Sequence, residues 1–490
     1  MKKIATACLL FMLILTKTFT YSFATEDKNF KETSSVSKQT TPPKSNRVKT
    51  SSTPSLAPKD EKEDVNKNKK ETTTDRKEEN GDAFNSSGNP EVLSEAAILV
   101  NGNTGKVLFE KNSHAQMFPA STTKIMTAYL AIIHLDMAQQ ITVSESAVAI
   151  ASDSSKMDLV AGEILTVKDL LYALMVQSAN DVANALAEAV SGSIPEFVRL
   201  MNETAKELGM HNTQFANPHG YHDKNHYTTA YDMSLIAQKA MKNEIFAEIV
   251  ATPSVKIPPT NKNDKERKYT TRNYMINPRS SLEYRYSYAD GIKTGHTNAA
   301  GYCLVGSATR GGMSLISVVF KAPEETPERV YTDSKNMYEY AYGKYRIRTV
   351  QKGDELASTC NVKWAAGKQH LILKTNEDIK ALLPRDDYIA ELLSSKIQIA
   401  EDITAPIQEG TELGEIHYFY NNEEVASAKL YASREVRKSY IKQFFSYIFS
   451  FWLLAIFGII VVFILLGRLK EKKRVTRLRR IKKQNLSKKR

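Results

Sequence analysis

The sequence has little cysteine, and its cysteines form no pattern. Cys8, Cys303 and Cys360 are the three in a chain of 490 residues. Disulfide scaffolds and cysteine-ligated metal sites need several cysteines at short spacings, so neither is indicated. Cys8 lies inside an N-terminal apolar run and not just after it, which excludes a lipid-modified cysteine. A disulfide between Cys303 and Cys360 remains open in an oxidising compartment.

Outside its C-terminal end, the chain has no excess of positive or negative charge. The chain carries 67 Lys and Arg against 55 Asp and Glu, but 13 of the basic residues and one acidic residue lie in residues 468–490. The other 467 residues therefore hold 54 side chains of each sign. A nucleic-acid-binding domain would carry its basic side chains on the folded part, so a nucleic-acid partner is excluded.

Long apolar runs are missing except near the two ends. Residues 1–24 begin with two lysines, continue through an apolar run and close on Ser-Phe-Ala, which predicts a signal peptide and export. Residues 444–466 carry no charge, and 23 helical residues suffice to cross the hydrocarbon of a bilayer. The basic segment 467–490 follows directly, so the positive-inside rule predicts a cytoplasmic tail that can also contact anionic membrane lipid.

Residues 25–90 lack the apolar side chains that a core requires. They hold 25 charged residues in 66 positions, with Phe30 and Phe84 as their aromatic residues. This composition predicts a disordered, solvated spacer; association with the cell wall is the alternative.

From residue 91 the pattern is that of a folded protein. Apolar residues 96–100, a turn at 101–105 and residues 106–110 predict a β-hairpin. Helical periodicity follows over 122–135, 167–190, 194–208 and 229–241, then strands over 301–309 and 313–320 and a closing helix over 329–342. We therefore predict an α+β domain at 91–345 whose antiparallel sheet is assembled from both chain ends. Short alternating stretches predict a small all-β domain at 346–436.

The first candidate site is Ser121-Thr122-Thr123-Lys124, where Pro119-Ala120 gives way to a helical run. A serine at a helix N-terminus and a lysine three residues later share one face, so the amine can reach the hydroxyl. The pair can act as a nucleophile and its base. The same spacing also occurs at Ser35 and Ser439, so this motif alone indicates little.

Two further motifs follow in the same predicted domain. Ser178-Ala179-Asn180 comes 57 residues after Ser121, and Lys293-Thr294-Gly295 comes 115 residues after Ser178. Glycine lets a backbone edge approach a ligand, while lysine and threonine offer a cation and a hydroxyl to a carboxylate. The order of the three motifs within one domain points to a functional site.

Together the three motifs resemble those of the penicillin-recognising serine acyl enzymes. More narrowly, the chain resembles the low-molecular-mass penicillin-binding proteins of the D-alanyl-D-alanine carboxypeptidase family, over about residues 91–436. The supporting stretches include residues 217–220 (Asn-Pro-His-Gly) and 290–297 (Asp-Gly-Ile-Lys-Thr-Gly-His-Thr). The chain differs in its apparent membrane span, where many members have an amphipathic helix on the membrane, and in its charged N-terminal tail.

The resemblance implies removal of the terminal D-Ala from a peptidoglycan stem peptide, with β-lactam antibiotics as inhibitors and no cofactor. It makes Ser121 the nucleophile, Lys124 its base and Ser178 the proton relay to the leaving amine. The implied substrate-binding residues are Asn180, Lys293, Thr294, Gly295, His296 through its backbone, and Arg329 at the start of the closing helix.

Several alternatives are weaker. A serine β-lactamase of class A would carry a Glu-x-x-Leu-Asn segment, which does not occur between Ser178 and Lys293. A catalytically silent wall-binding protein would have lost a catalytic position, and none is lost here. No metal is predicted, because the nine histidines are scattered and His219, His222 and His226 lack the acidic partner of a zinc-binding helix.

Overall fold

The computed structural model describes residues 88–385 and 392–487. The predicted signal peptide at 1–24 lies outside the described residues. So does the predicted disordered tail at 25–90, except for its last three positions, and so do the last three residues of the basic tail. The fold class predicted from sequence is confirmed: a mixed helix and sheet domain is followed by a β domain and a C-terminal apolar helix.

One antiparallel sheet organises the first domain, and both ends of the domain contribute to it. Its strands are Ala96–Asn101 (β1), Val107–Lys111 (β2), Ala289–Thr297 (β7), Gly301–Arg310 (β8) and Met313–Ala322 (β9). Their order is β2-β1-β9-β8-β7, so the N-terminal hairpin pairs with a strand more than 200 residues later. Two small hairpins are separate from this sheet: Gln140–Thr142 (β3) with Ile164–Thr166 (β4), and Ser254–Ile257 (β5) with Arg267–Thr270 (β6).

Helices cover both faces of the sheet, because its inner strands are apolar at consecutive positions and so present apolar side chains on both faces. On β1, Ala96, Ile98 and Val100 belong to one hydrophobic cluster, while Ala97 and Leu99 belong to the other. The helices of the domain are Lys124–His134 (α1), Glu145–Val148 (α2), Val167–Tyr172 (α3), Asn180–Ser191 (α4), Ile194–Glu207 (α5), Ala230–Met241 (α6), Glu244–Ala251 (α7) and Arg329–Lys344 (α8). Helix α8 packs on the face that carries the second cluster. The first cluster contains residues of the other long helices.

The helical segment predicted over 167–190 is interrupted in the structure. Helix α3 passes into a π-helical turn at Ala173–Gln177, and Ser178 then adopts a left-handed conformation with φ of 67°. Helix α4 starts afresh at Asn180. Periodicity did not reveal the break, because apolar residues continue through it. Such turns and non-glycine residues at positive φ concentrate at functional sites.

The described part of the second domain consists mainly of strands. Its strands are Tyr345–Gln351 (β10), Leu356–Asn361 (β11), His370–Lys374 (β12), Ile379–Pro384 (β13), Leu393–Ile399 (β14), Glu412–Tyr420 (β15) and Glu423–Ala432 (β16). Strands β10 and β13 pair with each other, and the other five form a sheet in the order β11-β12-β16-β15-β14. Leu371, Leu373, Ile416 and Leu430 lie at the centre of its core.

Helix α9, Tyr440–Ser487, follows the second domain. Its apolar window has a mean hydropathy of 3.0 and is unburied, as expected of a segment that faces lipid. Cys303 and Cys360 are both free and lie in the cores of different domains, so the structure contains no disulfide between them.

Candidate active site

Ser121 and Lys124 lie where a short 3₁₀ helix, Ala120–Thr123, passes into α1. Lys124 is fully buried, and its Nζ donates to Ser121 Oγ at 2.9 Å. The Ser-x-x-Lys spacing produces this contact because one helical turn places both side chains on the same face. The structure thus joins the first two residues that the sequence singled out.

The Lys124 amine has two further acceptors from distant parts of the chain. Asn180 Oδ1 and the carbonyl oxygen of His219 each lie 2.7 Å from Nζ. A neutral amine has two N–H donors and one lone pair. With Asn180 and His219 accepting the two hydrogens, the lone pair is directed at Ser121 Oγ, which then donates its proton. The geometry therefore suits a base.

Electrostatics favour that neutral form. Burial holds the pKa of Lys124 well below its usual range, and the positive charges of Lys293 and Arg272 lower it further. Asp181 opposes these effects and does not cancel them. Desolvation and like charge both disfavour an ammonium ion, so the amine is available as a base much nearer neutral pH than a solvated lysine.

Ser178 and Asn180 line the same cavity as Ser121. Ser178 ends the π-helical turn, and Asn180 begins α4 two residues later, with its backbone N–H donating to the Ser155 carbonyl oxygen at 2.8 Å. Asn180 thereby spans from the loop before α3 to the Lys124 amine. The break in the predicted helix is what brings a hydroxyl and an amide into the site together.

Strand β7 forms another part of the cavity wall through Thr294, Gly295 and His296. Gly295 is required by close approach: a Cβ there would lie 3.1 Å from the Ser121 backbone nitrogen and 3.0 Å from the Pro119 carbonyl oxygen. Any side chain at this position would push β7 away from the nucleophile. The His296 ring packs on Tyr302 at 4.2 Å between centroids and is not otherwise committed.

Lys293 lies beneath this wall and not on it. It is buried, its Nζ donates to the Thr294 carbonyl oxygen at 2.9 Å, and it is not among the residues that line the cavity. Burial and the charge of Arg272 lower the pKa of Lys293 to about 7. The Lys293 amine is therefore held next to the backbone of Thr294, and its role in substrate binding stays a prediction.

A second glycine, Gly220, packs against the backbone of Ala120, the residue before Ser121. Gly220 has φ of +82°, and a Cβ there would lie 1.7 Å from the Ala120 carbonyl oxygen. The loop containing Asn217, Pro218 and His219 thus presses directly on the residue before Ser121. The Asn-Pro-His-Gly stretch is therefore packed against the segment that carries Ser121. This packing also positions the His219 carbonyl oxygen, which accepts a hydrogen bond from Lys124.

Arg329 lies between two residues that line the cavity, Glu328 and Val330, but its side chain is engaged elsewhere. Its Nε donates to Asp333 Oδ1 at 2.7 Å and its Nη2 to Glu91 Oε2 at 2.9 Å, and it does not line the cavity. The guanidinium ties α8 to the start of the domain. Two carboxylates therefore hold the guanidinium that the sequence analysis assigned to substrate binding.

Arg272, which the sequence reading missed, lines the cavity instead. Its Nη1 donates to Ser155 Oγ at 2.9 Å, and it lies close enough to Lys124 and Lys293 to lower the pKa of both. It belongs to the segment after β6, where no motif marks it. A lone arginine in a loop carries no sequence signal; only the fold brings it to the site.

The cavity has a volume of about 850 Å³, and most of its walls are polar side chains and backbone. Within residues 88–385 and 392–487 no group of three or more His, Cys, Asp and Glu residues is placed to hold a metal ion. Burial lowers the pKa of His219 to about 3 and that of His226 to about 4, so both rings are neutral. The titratable groups present suit acyl transfer by serine and lysine.

Comparison with known proteins agrees with this geometry. The family described as D-alanyl-D-alanine carboxypeptidase matches residues 83–324. The C-terminal domain of penicillin-binding protein 5 matches residues 346–438.

Similar proteins include the D-alanyl-D-alanine carboxypeptidases DacF of Bacillus subtilis, 35% identical, and DacC of Escherichia coli, 32% identical. Each alignment covers 71% of this chain and 86% of the relative. Among solved structures, penicillin-binding protein 5 of Haemophilus influenzae superposes with a TM-score of 0.58 at 29% identity, over 71% of this chain and 99% of that one. Penicillin-binding protein 3 of Streptococcus pneumoniae gives 0.61 at 25% identity, over 71% and 100%.

Proposed function

The chain belongs to the family of penicillin-binding D-alanyl-D-alanine carboxypeptidases, and from this membership we propose how its residues act on a peptidoglycan stem peptide. The substrate ends in D-Ala-D-Ala, and the enzyme removes the last residue through an ester on Ser121. The observation that carries this proposal is the buried Lys124 amine, held between Ser121 Oγ, Asn180 Oδ1 and the His219 carbonyl.

In the first step Ser121 Oγ attacks the carbonyl carbon of the penultimate D-Ala, and its proton passes to neutral Lys124. The peptide C–N bond breaks as Ser178 relays a proton to the nitrogen of the departing D-Ala. Water then hydrolyses the ester by the reverse use of the same groups. General acid and base steps of this kind contribute roughly 10²–10⁴-fold each.

The developing oxyanion is assigned to two backbone N–H groups, those of Ser121 and His296. The close approach of Gly295 to the Ser121 nitrogen supports this assignment, because it brings the backbone of β7 to the nucleophile. Backbone donors fixed before the reaction are effective because they need not reorganise as charge develops. The Asn180 side chain is assigned the acyl amide of the substrate.

For the terminal carboxylate we propose the Thr294 hydroxyl and the Arg272 guanidinium as direct partners, with the buried charge of Lys293 beneath them. Thr294 and Arg272 line the cavity. A carboxypeptidase requires positive charge here because its substrate is an anion at the residue that leaves. Arg272 therefore replaces Arg329 as the candidate arginine.

The same site should react with β-lactam antibiotics, which is the expected behaviour of this family. The lactam nitrogen remains tethered to the acyl group after ring opening, so it cannot leave as free D-Ala does. We further propose that α9 spans the cytoplasmic membrane, with the catalytic domain on the outer side and the basic tail in the cytoplasm.

The direct test uses the full-length protein in detergent or vesicles. We expect a stable adduct with a fluorescent penicillin, and release of D-Ala from a peptide ending in D-Ala-D-Ala that is faster than hydrolysis of penicillin. A protein that forms no adduct would end the acyl-enzyme assignment. Faster turnover of penicillin than of peptide would favour a β-lactamase.

If Arg272 binds the substrate's terminal carboxylate, substitution of Arg272 should weaken the preference for that carboxylate, and substitution of Arg329 should not. Arg272→Gln should lower kcat/KM for a D-Ala-D-Ala peptide by about 10-fold or more, as expected for a lost charge-assisted hydrogen bond. For the corresponding peptide ending in D-alaninamide the loss should be much smaller, since that substrate has no carboxylate. Arg329→Gln is the matched variant and should leave the acid-to-amide preference unchanged. If wild-type protein and Arg272→Gln show the same ratio of kcat/KM for the acid peptide to that for the amide peptide, the assignment of Arg272 is wrong.

A further inference from the structure

The loop between β11 and β12 is bound to the first turns of α9. The Ser439 N–H donates to the Trp364 carbonyl oxygen at 2.7 Å. Lys442 Nζ donates to the carbonyl oxygens of Ala365 at 2.8 Å and Gly367 at 3.3 Å. The β domain is therefore hydrogen-bonded to the start of α9, in addition to preceding it in the chain.

These hydrogen bonds fix the position of the Trp364 side chain along the axis of α9. The Trp364 ring packs on the Tyr447 ring, with 6.1 Å between centroids. Tyr447 follows Lys442, the last charged residue before the charge-free stretch, by five residues, which is about 7 Å along a helix. If α9 spans a bilayer, Trp364 must lie where the hydrocarbon meets the headgroups. Tryptophan and tyrosine are enriched at that level.

The surroundings of Trp364 are cationic. Lys438 Nζ lies 5.7 Å from the centre of the Trp364 ring and 5.4 Å from that of Tyr440. Arg434 Nη2 donates to the carbonyl oxygens of Lys368 and His370 at 3.3 and 3.1 Å, which holds it beside the same loop. We call Trp364, Lys368, Arg434, Lys438, Tyr440 and Lys442 the collar.

The collar's positive charge is not neutralised within the protein. In the part of the chain that the structure describes, no carboxylate lies within ion-pair distance of Lys368, Arg434, Lys438 or Lys442. The nearby acids are already used: Glu435 pairs with Arg437, and Asp402 pairs with Lys363. One cation, Lys438, therefore lies over the Trp364 ring, and two more, Arg434 and Lys442, are bound to the backbone of the same loop without a carboxylate partner.

We propose that the collar lies in the outer leaflet and binds the phosphates of anionic phospholipids. The occupant follows from position and charge: the apolar helix continues directly from the collar, so the surface next to these cations is the membrane itself. The aromatic rings enter the interface, and the ammonium and guanidinium groups meet phosphate oxygens. This contact fixes the tilt of the β domain on the membrane. The inference rests on the proposed membrane span of α9.

The chain offers a clean test because it has two tryptophans, Trp364 and Trp452. Trp452→Phe leaves the collar tryptophan as the sole fluorophore, and Trp364→Phe leaves the one inside the span. Full-length protein is reconstituted in bilayers with bromine atoms at defined depths on the acyl chains. Trp364 should be quenched most by shallow bromines. Trp452 should be quenched by deep ones.

The lipid preference is tested in the Trp452→Phe protein with mixed bilayers in which either phosphatidylglycerol or phosphatidylcholine carries the bromines. We expect brominated phosphatidylglycerol to quench Trp364 at least 2-fold more at low salt. The ratio should fall toward one at high salt and in Lys368→Gln/Lys438→Gln. The matched control is Lys352→Gln/Lys396→Gln, since Lys396 also lies over an aromatic ring, that of Phe419, but away from the helix.

Each result decides between the two proposals. Quenching of Trp452 without quenching of Trp364 would leave the membrane span intact and overturn the collar. Equal quenching of Trp364 by both brominated lipids would overturn the binding of anionic phospholipid. Quenching of neither tryptophan would overturn the span and the collar together.

Discussion

Replacing Ser121 by alanine is expected to abolish both the fluorescent penicillin adduct and the release of D-Ala. Ser121 Oγ is the hydroxyl that contacts the buried Lys124 amine, and no ester can form without it. The measurement is in-gel fluorescence of the labelled full-length protein, together with D-Ala release under single-turnover conditions. The cavity should remain, so the variant should still bind peptide.

A matched control is available in the same chain. Ser35 precedes Lys38 at the same spacing as Ser121 and Lys124, but in the predicted disordered tail. Ser35→Ala should label and turn over substrate like the wild-type protein. An adduct that survives Ser121→Ala at wild-type yield would place the nucleophile elsewhere.

Lys124→Met should reduce the acylation rate by a factor on the order of 10²–10⁴, the contribution expected from a general base. Methionine keeps the length and apolar character of the stem but removes the amine. It also leaves Asn180 Oδ1 and the His219 carbonyl without a donor, which disturbs the groups that position the substrate. The readout is the second-order rate constant for penicillin acylation.

Lys124→Arg separates a base from a mere positive charge. Arginine supplies donors and charge but stays protonated, so it cannot accept the Ser121 proton. We expect it to be as impaired as methionine. Recovery of most of the activity in Lys124→Arg would show that charge, and not proton transfer, is what the site needs.

The same assignment fixes the sign of the pH dependence. Lys124 acts as a base when it is neutral, and burial holds its pKa well below the ordinary value. The acylation rate of the wild-type enzyme should therefore be low at pH values below that pKa and should increase as the pH rises through it. Lys124→Met should lose this acid limb, since it has no amine to protonate. A limb that persists unchanged in Lys124→Met would assign it to another group.

Sequence sufficed where local spacing determines geometry. The hairpin of β1 and β2 and the helices α5, α6 and α8 lie close to their predicted ranges, because strand alternation and helical periodicity are properties of neighbouring residues. The contact of Lys124 with Ser121 follows from one helical turn. The pairing of β1 with β9 was predicted only as an assembly of both chain ends, without register.

Sequence failed where distant segments converge. Arg272 and the His219 carbonyl reach the site through loops, and a backbone carbonyl carries no signature in any side chain. Arg329 was a candidate from its position at the start of the closing helix, but Glu91 and Asp333, which are 238 and 4 positions away, accept hydrogen bonds from its guanidinium. The left-handed Ser178 was hidden for another reason: the apolar pattern of the helix runs through it unchanged.

Among the strands that the structure describes, β7 lies at the edge of its sheet and has β8 as its one partner. An open edge is normally a liability, since its free backbone groups can recruit another strand and start aggregation. Here the edge carries Thr294, Gly295 and His296, which line the cavity together with Ser121. A short extended peptide in the cavity would add one strand to the sheet at this edge. Recognition would then depend mainly on the backbone of the peptide, which would let one enzyme process stem peptides that differ in their side chains.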